Sequence, residues 1–150
     1  MNFDEKDRLI IKLLSGNARM PVSDLARQVG LSGPSTSERI RRLENNGIIS
    51  RFTVELDLAA LGYPLQAIVR IKPRPGNMHI VEDMILNEPG FLDCDKVTGD
   101  DCFVTRLALR SIADLDPILL PFHEKAETNT AIIKSSPLRS RMPIDRAKSN

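Results

Sequence analysis

The chain has 150 residues, 41% hydrophobic and 27% charged, which is the size and balance of one soluble domain or two small ones. Its 21 basic and 20 acidic side chains leave a formal charge of +1, which excludes a chain-wide acidic field but not nucleic-acid binding, because a footprint needs local charge. The absence of any apolar run of about 18 residues excludes a membrane span. The early acids Asp4, Glu5 and Asp7 do not suit a secretory signal. Cys94 and Cys102 lack CxxC spacing, and His79 and His123 stand apart, so neither a disulfide framework nor a metal site is expected and the compartment reads as a reducing cytoplasm.

Asp4 is a helix cap, with Asp7 in the first turn, and Leu9, Ile10, Leu13 and Leu14 follow at helical spacing until Gly16-Asn17. Pro21 opens a second short helix whose apolar face is Val22, Leu25, Ala26 and Val29, and Gly30 closes it. Ser32-Gly33-Pro34 starts a third at once, with Ser32 and Gly33 both eligible as its cap. Thr36, Ile40 and Leu43 carry its core stripe to Asn46-Gly47. Three short helices with a tight Gly30-Leu31-Ser32 turn form the helix-turn-helix pattern.

Residues 48–56 are β-branched and aromatic with partial alternation and read as a strand, and 57–62 as a linker. Leu65, Ala67, Val69 and Ile71 alternate strictly within a strand over 63–72. Met78, Val81, Ile85 and Leu86 suit a helix that stops at Glu88-Pro89-Gly90. Residues 91–98 and 102–110 read as strands, 112–125 as one helix with Pro117 near its first turn, and Ala131-Ile132-Ile133 as part of a last strand. The order β-α-β-β-α-β predicts an α+β chain with a ferredoxin-like second domain. The expected organisation is a head over 1–56, the linker, a sensing and assembly domain over 63–136, and a basic tail over 137–150. Met78, Met84 and Met142 read as core fillers.

The near-zero charge is unevenly spread. Residues 1–62 carry +1, residues 63–133 carry −4 and residues 134–150 carry +4. Arg39, Arg41, Arg42 and Arg51 form the one dense arginine cluster. At about 100° per residue, a core side of Thr36, Ile40 and Leu43 turns Pro34, Glu38, Arg41, Arg42 and Asn45 outward. Guanidinium, carboxylate and amide groups are the types that read base edges in a major groove. Ser35 and Ser37 flank the helix N-terminus, where hydroxyls and N–H groups hold phosphate. Arg39 lies at the core margin, able to clamp the helix or a phosphate, and Arg51, Arg19 and Arg27 are further backbone candidates. An Arg-x-Arg-Arg run alone is an ordinary solvated face; the preceding short helix and tight turn favour DNA.

Residues 97–102 (Val-Thr-Gly-Asp-Asp-Cys) join two strands. A Gly-Asp turn needs no functional reason. Its functional reading is a small-ligand site, with N–H groups near Gly99 for a carboxylate and Asp100 or Asp101 for an ammonium, which together suit an amino acid. Cys102 has no base placed beside it by sequence, so it reads as a small hydrophobe rather than a nucleophile.

These features together resemble the Lrp/AsnC family of leucine-responsive, feast/famine transcription regulators, over residues 3–143. The resemblance rests on Asp4-x-x-Asp7, Asn17-Ala18-Arg19, Asp24-Leu25-Ala26, Val29-Gly30-Leu31-Ser32 and Arg39-Ile40-x-x-Leu43-Glu44-x-x-Gly47-Ile48-Ile49. In the second half it rests on Leu61-Gly62, Glu88-Pro89-Gly90, Val97-Thr98-Gly99-Asp100 and Thr128-x-Thr130. It implies an N-terminal winged helix-turn-helix and a C-terminal ligand-sensing ferredoxin-like domain. It further implies dimers joined through their sheets, commonly assembled as octamers, on pseudo-palindromic promoter DNA. An amino-acid effector would sit between dimers near the Gly-Asp loop, which here is Thr98, Gly99, Asp100, Asp101 and Cys102. Two departures stand out. Asp101-Cys102 replaces the usual bulky residue and second aspartate, and His123-Glu124-Lys125-Ala126-Glu127 occupies the usual Pro-Gly-Val position.

The expectation is a DNA-binding transcription regulator tuned by an amino acid, with no catalytic residues, metal or other cofactor. The alternatives are a nucleoid-type architectural protein, or an amino-acid-binding module or enzyme whose first domain serves assembly only.

Overall fold

The computed structural model describes residues 3–139. The chain divides into two compact units, one built on the chain up to Glu55 and one spanning Leu56–Pro137.

The first unit is helical. Helix α1 (Glu5–Gly16) starts with a reciprocal box, in which the Asp7 N–H donates to Asp4 Oδ1 at 2.9 Å and the Asp4 N–H donates to Asp7 Oδ2 at 3.2 Å. Helix α2 (Val22–Val29) follows Pro21 and ends where Gly30 turns left-handed at φ +69°. Helix α3 (Gly33–Asn45) is capped by Ser32, which settles the open choice at this start: its Oγ accepts from the Ser35 N–H at 3.3 Å. Ile10, Leu14, Leu25, Val29 and Leu43 meet as one core, and Phe3, Leu13, Ile40 and Ile49 cover its margin. Lys6 Nζ donates to the Gly30 carbonyl at 3.2 Å, fastening α1 to the turn between α2 and α3.

The strand expected over 48–56 does not form a ladder among the described residues. Ile48 and Ile49 instead donate to the Leu43 carbonyl and finish α3, and residues 50–57 run without assigned structure. Alternation is present, but Phe52, Val54 and Leu56 are all exposed. A strand is defined by the backbone groups opposite it, and among the described residues this segment has no strand beside it.

In the second unit, β1 (Leu65–Pro73), β2 (Phe91–Lys96), β3 (Phe103–Leu109) and β4 (Ala126–Ile132) form an antiparallel sheet in the order β2-β3-β1-β4. That is the ferredoxin-like order. Its register aligns Ala67 with Leu107, Val69 with Thr105 and Ile71 with Phe103, so one face is continuous and apolar. Helix α4 (Met78–Asn87) packs Val81 and Ile85 on this face, and Leu119, Phe122 and Ala126 complete the core. The alternation in β1 and β3 is the sequence signature of that half-buried sheet. Met78 and Met84 pack on the core; Met142 and most of the basic tail, 140–150, lie outside the described residues.

One of the remaining element readings needs correction. The single helix expected over 112–125 is a 3-10 turn at Ile112–Asp114, a short helix α5 (Leu115–Leu119) and a second 3-10 turn at Leu120–Phe122. Pro117 and Pro121 each lack the N–H that a continuous helix requires, and Pro121 interrupts the ladder where the helix should lengthen. The last strand contains Ala131 and Ile132 as expected and runs from Ala126 to Ile132, with Thr128 and Thr130 paired to Ile71 and Val69.

Candidate nucleic-acid interface and effector loop

Helix α3 is divided lengthwise. Thr36 and Leu43 are buried, with the Thr36 hydroxyl donating to the Ser32 carbonyl at 2.9 Å. Pro34, Glu38, Arg41 and Asn45 are exposed at helical spacing, with exposed Ser35 and half-buried Ser37 beside them near the helix N-terminus. Arg41 lies against Glu38 at 2.9 Å, and both side chains are about 70% exposed, as the 68% and 69% values show. An exposed pair of this kind holds loosely and yields to a stronger partner. Arg51 is exposed beyond the helix. Arg19 is exposed as well, and exposed Arg27 pairs with Asp24 at 3.0 Å.

Arg39 and Arg42 are placed differently. Arg39 Nη1 donates to both Asp4 oxygens at 2.9 and 2.8 Å and to Asp7 Oδ1 at 2.8 Å. Arg42, expected to face outward, folds back instead, and its Nη2 donates to Asp7 Oδ1 and Oδ2 at 3.1 and 2.9 Å. Asp7 is completely buried, while the Arg39 and Arg42 side chains are 22% and 41% exposed. The physical reason for the correction is reach. Arg42 lies within a guanidinium's span of a buried carboxylate, and a buried charge without partners is costly. The backbone N–H of Asp7, then Arg39, hold the Asp4 carboxyl below its ordinary range, and the two carboxylates push the Arg39 guanidinium up. Sequence spacing gave Asp7 only a role in the first turn of α1. The missed signal was two acids and two arginines that the helix core brings together.

The hairpin after β2 is built by backbone strain and closure. Val97 N–H donates to the Cys102 carbonyl at 2.8 Å, and Phe103 N–H to the Asp101 carbonyl at 2.7 Å. Gly99 adopts φ +113°, open only to glycine at low cost, and Cys102 adopts φ +61°, uncommon for any other residue. Thr98, Gly99 and Asp100 are exposed, and Asp101 and Cys102 are half-buried. Cys102 packs on the margin of the sheet core, less buried than a core hydrophobe. Asp101 Oδ2 lies 3.8 Å from Arg70 Nε of β1, a neighbour that sequence spacing did not reveal.

The sheet face opposite the helices carries Ile68, Arg70, Val104, Arg106 and Ala108, with Asp93 and Asp95 of β2 in register beside them. Arg106 Nε is 3.7 Å from Asp93. A separate groove of about 400 Å³ is lined by Tyr63, Gly90, Ala108, Arg110, Asp114, Pro117 and Ile118, with the Arg110 guanidinium 5.3 Å from the Tyr63 ring centroid. None of the five hairpin residues lines it. Among the described residues no helix is long and apolar enough to cross a membrane, and no His, Cys, Asp or Glu cluster has the makings of a metal site.

Comparison with known proteins agrees in both units. Residues 3–50 match the winged helix-turn-helix DNA-binding family, and residues 66–143 match the Lrp/AsnC ligand binding domain. The HTH-type transcriptional regulator LrpC of Bacillus subtilis is 30% identical over 135 residues, covering 90% of this chain and 94% of that protein. The HTH-type transcriptional regulator AldR of Mycobacterium tuberculosis is 35% identical over 115 residues, 75% of this chain and 64% of that one. The solved structure of B. subtilis LrpC superposes with a TM-score of 0.86 at 28% identity, covering 94% of this chain and all of the other. A feast or famine regulatory protein from M. tuberculosis, solved in complex with L-methionine, gives a TM-score of 0.85 at 26% identity over 95% of this chain and 99% of that one.

Proposed function

The chain belongs to the Lrp/AsnC family of helix-turn-helix transcription regulators, and on that premise we propose that it reads promoter DNA with the outer stripe of α3 and is tuned by an amino acid held between subunits at the β2–β3 hairpin. Its relatives are transcription regulators, not enzymes. The observation that carries the reading is the exposed row Pro34, Glu38, Arg41 and Asn45 on a helix whose other side is locked into a core. In this reading Arg41 takes a base edge on leaving Glu38, and Ser35 and Ser37 hold a phosphate at the helix N-terminus. Arg51 adds a backbone contact.

The hairpin supports a shared effector site. Gly99 and Asp100 are exposed, so one chain alone does not enclose a ligand there. A second copy supplies the missing wall, and the neighbouring structure with L-methionine bound supports an amino acid as the ligand class. Thr98 and Gly99 offer backbone N–H groups to the carboxylate, Asp100 or Asp101 meets the ammonium, and Cys102 borders the side chain. Chains pair through the open sheet face, where Arg106 and Asp93 provide opposite charges that a two-fold axis matches with themselves. Dimers gather into an octamer in the cytoplasm, and the ligand shifts the population of assemblies and so the spacing of paired α3 helices on a pseudo-palindromic site.

A gel shift on the chain's own upstream DNA tests the reading. Arg41→Ala is expected to weaken that complex more than the complex with random duplex, and affinity should fall steeply with salt. Equal losses on both duplexes would take Arg41 out of the base-reading set. No shift at low salt by folded protein would overturn the DNA reading.

A further inference from the structure

Resting on that reading of α3, we propose that Asp7 is a positioning residue for DNA recognition: by taking Arg39 and Arg42 into one buried carboxylate site, it withdraws half of the arginine cluster from the DNA and sets the tilt of α3. Four observations meet here. Asp7 is fully buried and accepts from three sources, the Asp4 N–H, Arg39 and Arg42. Both arginines come from α3, three and six residues after the buried Thr36, whose hydroxyl donates to the Ser32 carbonyl, so the site ties the reading helix to the first turn of α1. Arg42 Nε is buried with no hydrogen-bond partner, so the side chain follows the carboxylate although one of its own donors goes unmet. Asp4 shares Arg39 Nη1 with Asp7, so two negative charges face two positive ones.

The consequence is a division of labour within one helix. Arginines in reach of phosphate strengthen binding to every sequence alike, and each adds salt dependence without adding information. A head with Arg39 and Arg42 neutralised keeps Arg41 on α3 for a base edge and Arg51 for the backbone. The apolar contacts of Ile10, Leu14 and Leu43 already join α1 to α3, so the ionic site adds direction to a docking that burial drives. A carboxylate fork also holds guanidinium planes at defined angles, which a greasy contact does not.

The test compares full-length variants by fluorescence anisotropy on a random-sequence duplex across a salt series. A second duplex, selected by the wild-type protein from a randomised pool, gives the specificity ratio. Arg51→Met, which removes a backbone contact, is expected to flatten the slope of log affinity against log salt by about 0.9 per bound head, and Arg42→Met to leave it unchanged. Asp7→Asn, which keeps the shape, releases Arg42 and leaves Arg39 to Asp4 alone, is expected to steepen the slope, tighten random-duplex binding several-fold and lower the specificity ratio. An Arg42→Met slope as flat as that of Arg51→Met overturns the proposal, as does an Asp7→Asn protein, folded by circular dichroism, with the wild-type slope. If Asp7→Asn fails to fold, the two arginine variants decide. A wild-type protein that binds neither duplex overturns the reading of α3, and this one with it.

Discussion

Asp4 illustrates how one side chain joins local and tertiary structure. It caps α1 and receives Arg39, and both favour its ionised form. A carboxyl depressed when folded contributes stability that is present above its unfolded pKa and lost as pH falls through the folded value. That contribution should therefore disappear below about pH 4, the ordinary value being 3.8. Urea midpoints measured between pH 6 and pH 3 should fall less steeply for Asp4→Asn than for the wild type, an equal slope counting against the contact. Cys94 makes the opposite case. Partial desolvation of its sulfur, then the carboxylates of Asp95, Glu82 and Asp93, push the thiol pKa up. At neutral pH it should react with a thiol reagent more slowly than free cysteine does and catch up in alkali.

At the level of elements, α3 depends on a cap, and its cap is a single hydroxyl. Ser32→Ala should cost about 1 kcal/mol of stability in a denaturant titration, with the loss confined to the helical unit. A change below a few tenths would mean that Pro34 and the core alone fix the start. The same helix shows how far sequence carries. Its ends, its buried Thr36 and Leu43 and its outer row follow from period and capping chemistry, because both are local. The destination of Arg42 does not, since it depends on a carboxylate 35 residues away. The sheet order was legible from β1 and β3, whose alternation reports a half-buried surface. The broken helix at Pro117 and Pro121 was written in the residues too, but apolar periodicity outweighed the missing donors. The segment carrying Phe52, Val54 and Leu56 shows the reverse: strand-forming residues specify extension, and pairing needs a neighbour. Asp101 reaching Arg70 was likewise invisible until the register set β1 beside β3.

For the molecule as a whole, the ligand and the assembly are one equilibrium in the proposed mechanism. A thermal-shift screen of amino acids should find one that stabilises the protein, by about 2.7 kcal/mol at a hundredfold excess over Kd. The shift should grow with protein concentration if, as proposed, a second chain completes the site. It should vanish in Asp101→Ala and weaken in Cys102→Ala. A shift indifferent to protein concentration would place the ligand within one chain, where the Tyr63–Arg110 groove offers space.

The sheet also has two free edges, and a protein made to self-associate must keep those edges from doing the associating. Strand β2 is unsuited to serve as a template. Its register slips between Phe91 and Asp93, and Asp93, Asp95 and Lys96 follow in quick succession. At the opposite border β4 offers Glu127, Thr128, Asn129 and Thr130. Edge-to-edge growth has no natural stopping point and leads towards fibres, whereas contact between faces closes on itself. The crooked, charged border of β2 thus acts as a guard on stoichiometry: replacing Asp93 and Asp95 together by valine should leave the fold intact and turn countable particles into open-ended aggregates, visible by light scattering.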